Sequence, residues 1–123
     1  MVRSTREVFE DHLALARHGD VETDIQRNFS PECVLLTTDG EFQGHEGIRS
    51  AAKALEKKLP HPTFTYLTRM VTGELAFLEW KGESSTSVVR SGADSFLVRN
   101  GLIQYMTAHY LVEPKSKSPF FRT

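Results

Sequence analysis

The stretch Asp94-Ser95-Phe96-Leu97-Val98-Arg99-Asn100-Gly101-Leu102-Ile103-Gln104-Tyr105-Met106-Thr107-Ala108-His109 decides the fold, because Asn100-Gly101 stands between two alternating runs. A two-residue hairpin loop needs positive φ at both central positions, which Asn and Gly tolerate best. With that loop, Arg99 lies opposite Leu102, Val98 opposite Ile103, Phe96 opposite Tyr105 and Asp94 opposite Thr107. Cross-strand partners point to the same side of a sheet. One face is therefore expected to carry Asp94, Phe96, Val98, Ile103, Tyr105, Thr107 and His109. The other carries Ser95, Leu97, Arg99, Leu102, Gln104, Met106 and Tyr110. On this register Asp94 and His109 are diagonal neighbours, a carboxylate beside an imidazole.

Working outward, four alternating segments make a meander: Thr63 to Thr72, Leu75 to Lys81, Thr86 to Arg99 and Leu102 to Glu113. Ser91-Gly92-Ala93 is a candidate bulge that bends the third of them. Before residue 60 the period is helical. Ser4-Thr5-Arg6-Glu7 is a capping box, and Val8, Phe9, His12, Leu13 and Ala16 recur at helical spacing until Gly19, which predicts a helix over Thr5 to His18. Asp20 caps a second helix, Val21 to Phe29, which Pro31 ends. Cys33 to Thr37 reads as a buried strand. Gly44 to Leu59 carries Ile48, Ala52, Leu55 and Leu59 on one stripe and closes at Pro60-His61-Pro62. Helices first and an antiparallel meander afterwards is an α+β arrangement.

A chain of 123 residues is expected to form one domain with a core of its own, spanning about residues 5–113, and a polar tail from Pro114 to Thr123 broken by Phe120 and Phe121. Fifteen basic residues against sixteen acidic ones leave no electrostatic footprint for nucleic acid or an anionic membrane. One cysteine, Cys33, excludes an internal disulfide. The apolar stretch of a signal peptide or membrane span is absent from the N-terminal residues, and a cytoplasmic location is the expectation. There is no CxxC, HExxH, Walker or dinucleotide fingerprint. Asp39, His45 and Glu46 lack the number and spacing of a metal site, so neither metal nor cofactor is expected.

The order of elements, with His18-Gly19-Asp20, Phe29-Ser30-Pro31-Glu32, Gly44-His45-Glu46-Gly47-Ile48, Gly92-Ala93-Asp94-Ser95-Phe96 and Asn100-Gly101-Leu102-Ile103, resembles the nuclear transport factor 2-like superfamily. It is most similar to its small SnoaL-like bacterial members, over roughly residues 5 to 113. The resemblance implies a cystatin-like cone: three N-terminal helices packed on a strongly curved antiparallel sheet around an apolar pocket, commonly as a homodimer through the sheet's outer face. It also implies a choice of functions, since members include isomerases, dehydratases, epoxide hydrolases, cyclases and pure binding modules. In the ketosteroid isomerase branch the Asp-x-Phe carboxylic acid helps bind an oxyanion, and Asp94 matches it. That branch's tyrosine donor falls near His12 and its aspartate base near Thr37, so two of its three catalytic groups are missing and steroid isomerisation is not expected.

The resemblance also implies that the face holding Asp94 lines the cone. Asp94 and His109 are then candidate catalytic residues for cofactor-free proton transfer, the carboxylate orienting the imidazole. The alternative is that His109 donates to a carbonyl or a buried water and Asp94 merely satisfies His109. Of Glu79 and Trp80 only one can face inward. Superfamily spacing favours Phe77 and Glu79, with Glu79 then tuning Asp94; the alternative has Trp80 in the core and Glu79 in solvent. His12 could reach the pocket from helix one or be a hydrogen-bonded core residue. Phe42, Tyr66, Phe77, Phe96, Tyr105 and Thr107 are candidate walls for a small apolar or weakly anionic ligand, or packing. The functional expectation is a small-molecule pocket protein, possible as isomerase, dehydratase or cyclase. The rival is a non-catalytic ligand-binding or dimerisation domain. Either is expected to pair as a homodimer through Leu97, Leu102, Met106 and Tyr110.

Overall fold

The computed structural model describes residues 2–115, so the tail expectation for residues 116–123 lies outside the described residues. The helices are α1 (Thr5–His18), α2 (Val21–Asn28) and α3 (Gly44–Lys58). The strands are β1 (Phe29–Thr37), β2 (Gly40–Gln43), β3 (Thr63–Thr72), β4 (Leu75–Glu83), β5 (Ser87–Arg99), β6 (Leu102–His109) and β7 (Glu113–Pro114). The capping box forms: Ser4 accepts from the Glu7 amide and the Glu7 carboxylate accepts from that of Ser4. Gly19 ends α1 in the left-handed conformation, and Asp20 caps α2 through the Thr23 amide.

The strands form one curved sheet in the order β2-β1-β6-β5-β4-β3, with β7 paired to β5. Helix α1 crosses β3, β4 and β5, and α3 covers β1 and β2. The core lies between helices and concave face, with Val8, Phe9 and Leu13 of α1 against Ala76, Leu78, Phe96 and Val98. The fold class is α+β, as expected, with one correction. The sheet is mixed, because β1 runs parallel to β6 while the meander β3 to β6 is antiparallel. A parallel neighbour needs a crossover, and here β2, α3 and the meander together supply it.

The hairpin loop is Asn100-Gly101, at φ 57° and 73°, with Arg99 opposite Leu102 and Val98 opposite Ile103. The ladder then slips: Leu97 pairs with Tyr105, leaving Gln104 as an extra residue, and from there Phe96 faces Met106, Ser95 faces Thr107 and Asp94 faces Ala108. Gln104 turns its amide back to the Arg99 carbonyl at 2.9 Å. On its other side the β1 ladder is broken over the same interval, between Phe29 opposite Ile103 and Val34 opposite Tyr105. Pro31, which has no N–H to give a ladder, sits inside that break.

A slip of one residue reverses the faces of all that follows. Met106, Ala108 and Tyr110 therefore turn toward the helices, while Tyr105, Thr107 and His109 turn out, correcting the expected faces of β6. Another bulge breaks the β4–β5 ladder between Trp80 opposite Gly92 and Gly82 opposite Val89, next to the expected Ser91-Gly92-Ala93.

Candidate functional site

On the concave side the polar groups gather where α1, α2 and β5 meet. His12, on the buried stripe of α1, is 8% exposed, Asp24 on α2 7%, Asn28 0% and Asp94 on β5 8%. His12 Nδ1 lies 2.7 Å from Asp24 Oδ2. A carboxylate only accepts, so Nδ1 carries the proton and Nε2 is left for other work. Phe29 and Phe96 set their rings edge-on to the imidazole, at centroid distances of 5.5 and 5.2 Å.

Asp94 accepts from the indole Nε1 of Trp80 at 3.0 Å. The contact depends on Gly92: a Cβ there would stand 2.4 Å from Trp80 Cε2, so only a glycine lets the indole lie against β5. Burial, partly opposed by the Trp80 hydrogen bond and by His12, pushes the Asp94 carboxyl up to about 6. Burial works against charge on His12 too, but Asp24 beside it, helped by Asp94 and Asp11, raises the imidazole above its ordinary value. Neither His12 Nε2 nor Asp94 Oδ2 has a hydrogen-bond partner among the described residues, yet no fully buried side-chain nitrogen or oxygen there is unpartnered.

The sequence-predicted residues do not all come together. His12, Tyr66 and Phe96 lie on the concave side with Asp94; Tyr66 is half-buried and donates to the Leu13 carbonyl at 2.8 Å. Phe42, half-buried on β2, packs against Gly47 of α3 instead. His109 is exposed on the convex face, so the expected Asp94–His109 pair does not form: the slip at Gln104 puts Ala108, not His109, on the face of Asp94. Glu79 is exposed and Trp80 is buried, correcting the inward assignment of Phe77 and Glu79. The apolar phase Ala76, Leu78, Trp80 takes the interior, and Glu79 accepts from the Thr68 hydroxyl at 2.6 Å. Phe77, Tyr105 and Thr107 share that convex face. Asp24, Asn28 and Trp80 were missed as polar members of the site. The available signal was Asp24 and Asn28 at i, i+4, flanking the apolar Ile25.

Two surface concavities, of about 550 and 380 Å³, lie elsewhere, one at Arg3, Glu7, Asp11, Gln26 and Arg27 and the other along Thr63, Lys81 and Arg90. Neither is lined by Asp94 or His12; Trp80 bonds Asp94, and the Phe96 ring packs against Phe9 and His12. Among the described residues no group of His, Cys, Asp and Glu is arranged to hold a metal, and no helix is long and apolar enough to cross a membrane.

A family profile described as SnoaL-like domain matches residues 9–106. The chain belongs to the SnoaL-like domain family. No curated protein matches it in sequence. Among solved structures, a candidate polyketide cyclase from Sinorhizobium meliloti is 20% identical, with a TM-score of 0.70 over 83% of this chain and 93% of that one. A nuclear transport factor 2-like protein of unknown function from Mesorhizobium loti is 17% identical, with a TM-score of 0.72 over 87% and 90%. A candidate isomerase of the SnoaL-like family from Agrobacterium tumefaciens is 16% identical, with a TM-score of 0.67 over 85% and 95%. At these identities the likeness is one of fold.

Proposed function

We infer that this SnoaL-like protein moves protons on a small, uncharged or weakly anionic molecule, with His12 and Asp94 as the groups that exchange them and no cofactor required. The observation that carries the reading is the shared interior of an Asp24-bound imidazole and a carboxyl raised to about 6. A carboxyl raised to about 6 by burial and an imidazole raised by Asp24 suit proton exchange, in which one group takes a proton from carbon and the other returns one to oxygen or to another carbon. Phe29, Phe96 and Tyr66 supply apolar walls. The Sinorhizobium and Agrobacterium proteins, described as candidate cyclase and isomerase, are consistent with that reaction class. A substrate reaches His12 and Asp94, both buried, only by displacing side chains packed around them.

The test is deuterium incorporation from D2O into a panel of enolisable ketones and β-dicarbonyl compounds, followed by NMR. The wild type is expected to accelerate exchange at one position of one compound class. His12→Gln and Asp94→Asn should each lose about a hundredfold, while His109→Ala retains the rate. Exchange no faster than buffer across the panel, or equal losses in His109→Ala, would contradict the assignment.

A second reading, a non-catalytic dimerisation scaffold, is favoured by the convex face. Two rows run across it, Leu36, Thr107, Ser95, Phe77 and Met70, then Val34, Tyr105, Leu97, Leu75 and Thr72. Leu36, Met70, Leu75 and Tyr105 are about half exposed in the single chain, as an unpaired interface would be. Of the four residues expected to form it from the sequence, Leu97 lies in these rows, whereas Met106 and Tyr110 face inward.

A further inference from the structure

A chain of hydrogen bonds runs from the hairpin tip to His12. Arg3 Nη2 donates to the Gly101 carbonyl at 3.0 Å and to the Arg27 carbonyl at 2.6 Å, and its Nη1 donates to Asn28 Oδ1 at 2.9 Å. Asn28 Nδ2 donates to Asp11 Oδ2 and to Asp24 Oδ1, both at 2.9 Å. Asp24 Oδ2 then accepts from His12 Nδ1. Asn28 is fully buried, and its amide has one satisfactory orientation: a guanidinium can only donate, which fixes the oxygen, and two carboxylates can only accept, which fixes the nitrogen. An amide locked in this way holds one Asp24 oxygen and thereby aims the other at the imidazole.

We propose that Asn28, anchored by Arg3, is a positioning residue that holds Asp24 against His12 Nδ1 and so keeps the His12 proton on Nδ1 and the basic nitrogen at Nε2. The proposal rests on the reading of His12 as a proton-exchanging group, but its test needs no substrate. The charged and titratable groups facing His12 are Asp24 from α2, Asp94 from β5 and Asp11 from its own helix. Asp24 acts most strongly of the three, so an Asp24 free to rotate away leaves burial to push the imidazole down.

The experiment is a long-range 1H–15N NMR titration of the histidine rings in the full chain, comparing wild type, Asn28→Ala and Arg3→Ala. The His12 midpoint should fall by about one pH unit in Asn28→Ala and by roughly half a unit in Arg3→Ala. Its neutral form should change from one tautomer to a mixture, with His18 and His61 unmoved. The sign in Arg3→Ala is diagnostic, since losing a nearby cation would by itself move the midpoint up. An upward or unchanged midpoint with the wild-type tautomer overturns the proposal. If Asn28→Ala does not fold, Arg3→Ala decides by the same two outcomes, because Arg3 is one-third exposed. A lowered midpoint without turnover on any compound would uphold the relay and count against the catalytic reading alone.

Discussion

At Asp94 the protein holds a carboxyl group in a place that favours its neutral form, and stability must depend on pH accordingly. The folded value is about 6 and the ordinary value 3.8, so between those limits the folded state binds the proton that the unfolded state has released. The contribution of this group is then highest below about pH 4, falls as pH rises to about 6, and levels off, a loss of order 3 kcal/mol. His12, raised above its ordinary value, works in the same direction: its contribution is present at low pH and fades as pH rises through its folded value. Asp94→Asn keeps an acceptor for the Trp80 indole and removes the titration. Its stability relative to wild type, measured by urea denaturation, is expected to grow by about 2–3 kcal/mol between pH 4 and 6.5. A constant difference across that range would show that Asp94 is not strained by its surroundings.

At the scale of elements, the closest approach in the site is Trp80 lying over Gly92. Gly92→Ala is expected to cost about 2–4 kcal/mol, because the added methyl meets the rigid, buried indole of Trp80 rather than a flexible chain end. Intrinsic fluorescence should report a moved Trp80 in whatever folded protein survives. A loss below 1 kcal/mol with unchanged emission would contradict the packing described. The β5–β6 hairpin shows how far the sequence could be read. Asn100-Gly101 announces its turn through local backbone preference, and α1 and β3 follow from caps and periodicity. Gln104 announces nothing: its bulge answers to the irregular β1 neighbour around Pro31, a partner distant in sequence. One hint was available, since after Gln104 the set Met106, Ala108, Tyr110 is more apolar than Tyr105, Thr107, His109. The cost of missing it was the wrong partner for Asp94, with His109 in place of His12. Glu79 differs from expectation for a related reason: alternation in β4 favours Trp80 inward, against the spacing that the family resemblance implies.

For the whole molecule, the half-exposed convex rows are proposed as a self-association surface. Sedimentation equilibrium at micromolar concentration is expected to give twice the 13.9 kDa chain mass, and Leu75→Glu with Tyr105→Glu to give one chain mass with the fold retained. A monomer in the wild type would refute this. The central claim is that the interior joins Asp94 to Trp80 and His12 rather than to His109. Trp80 is the only tryptophan, so its indole N–H gives one NMR resonance that requires no further assignment. That resonance, followed from pH 4 to 8, should titrate with a midpoint near 6 in wild type and in His109→Ala, and stay fixed in Asp94→Asn. A resonance that does not move with pH, or one whose midpoint shifts on removal of His109 and not of His12, would contradict the account.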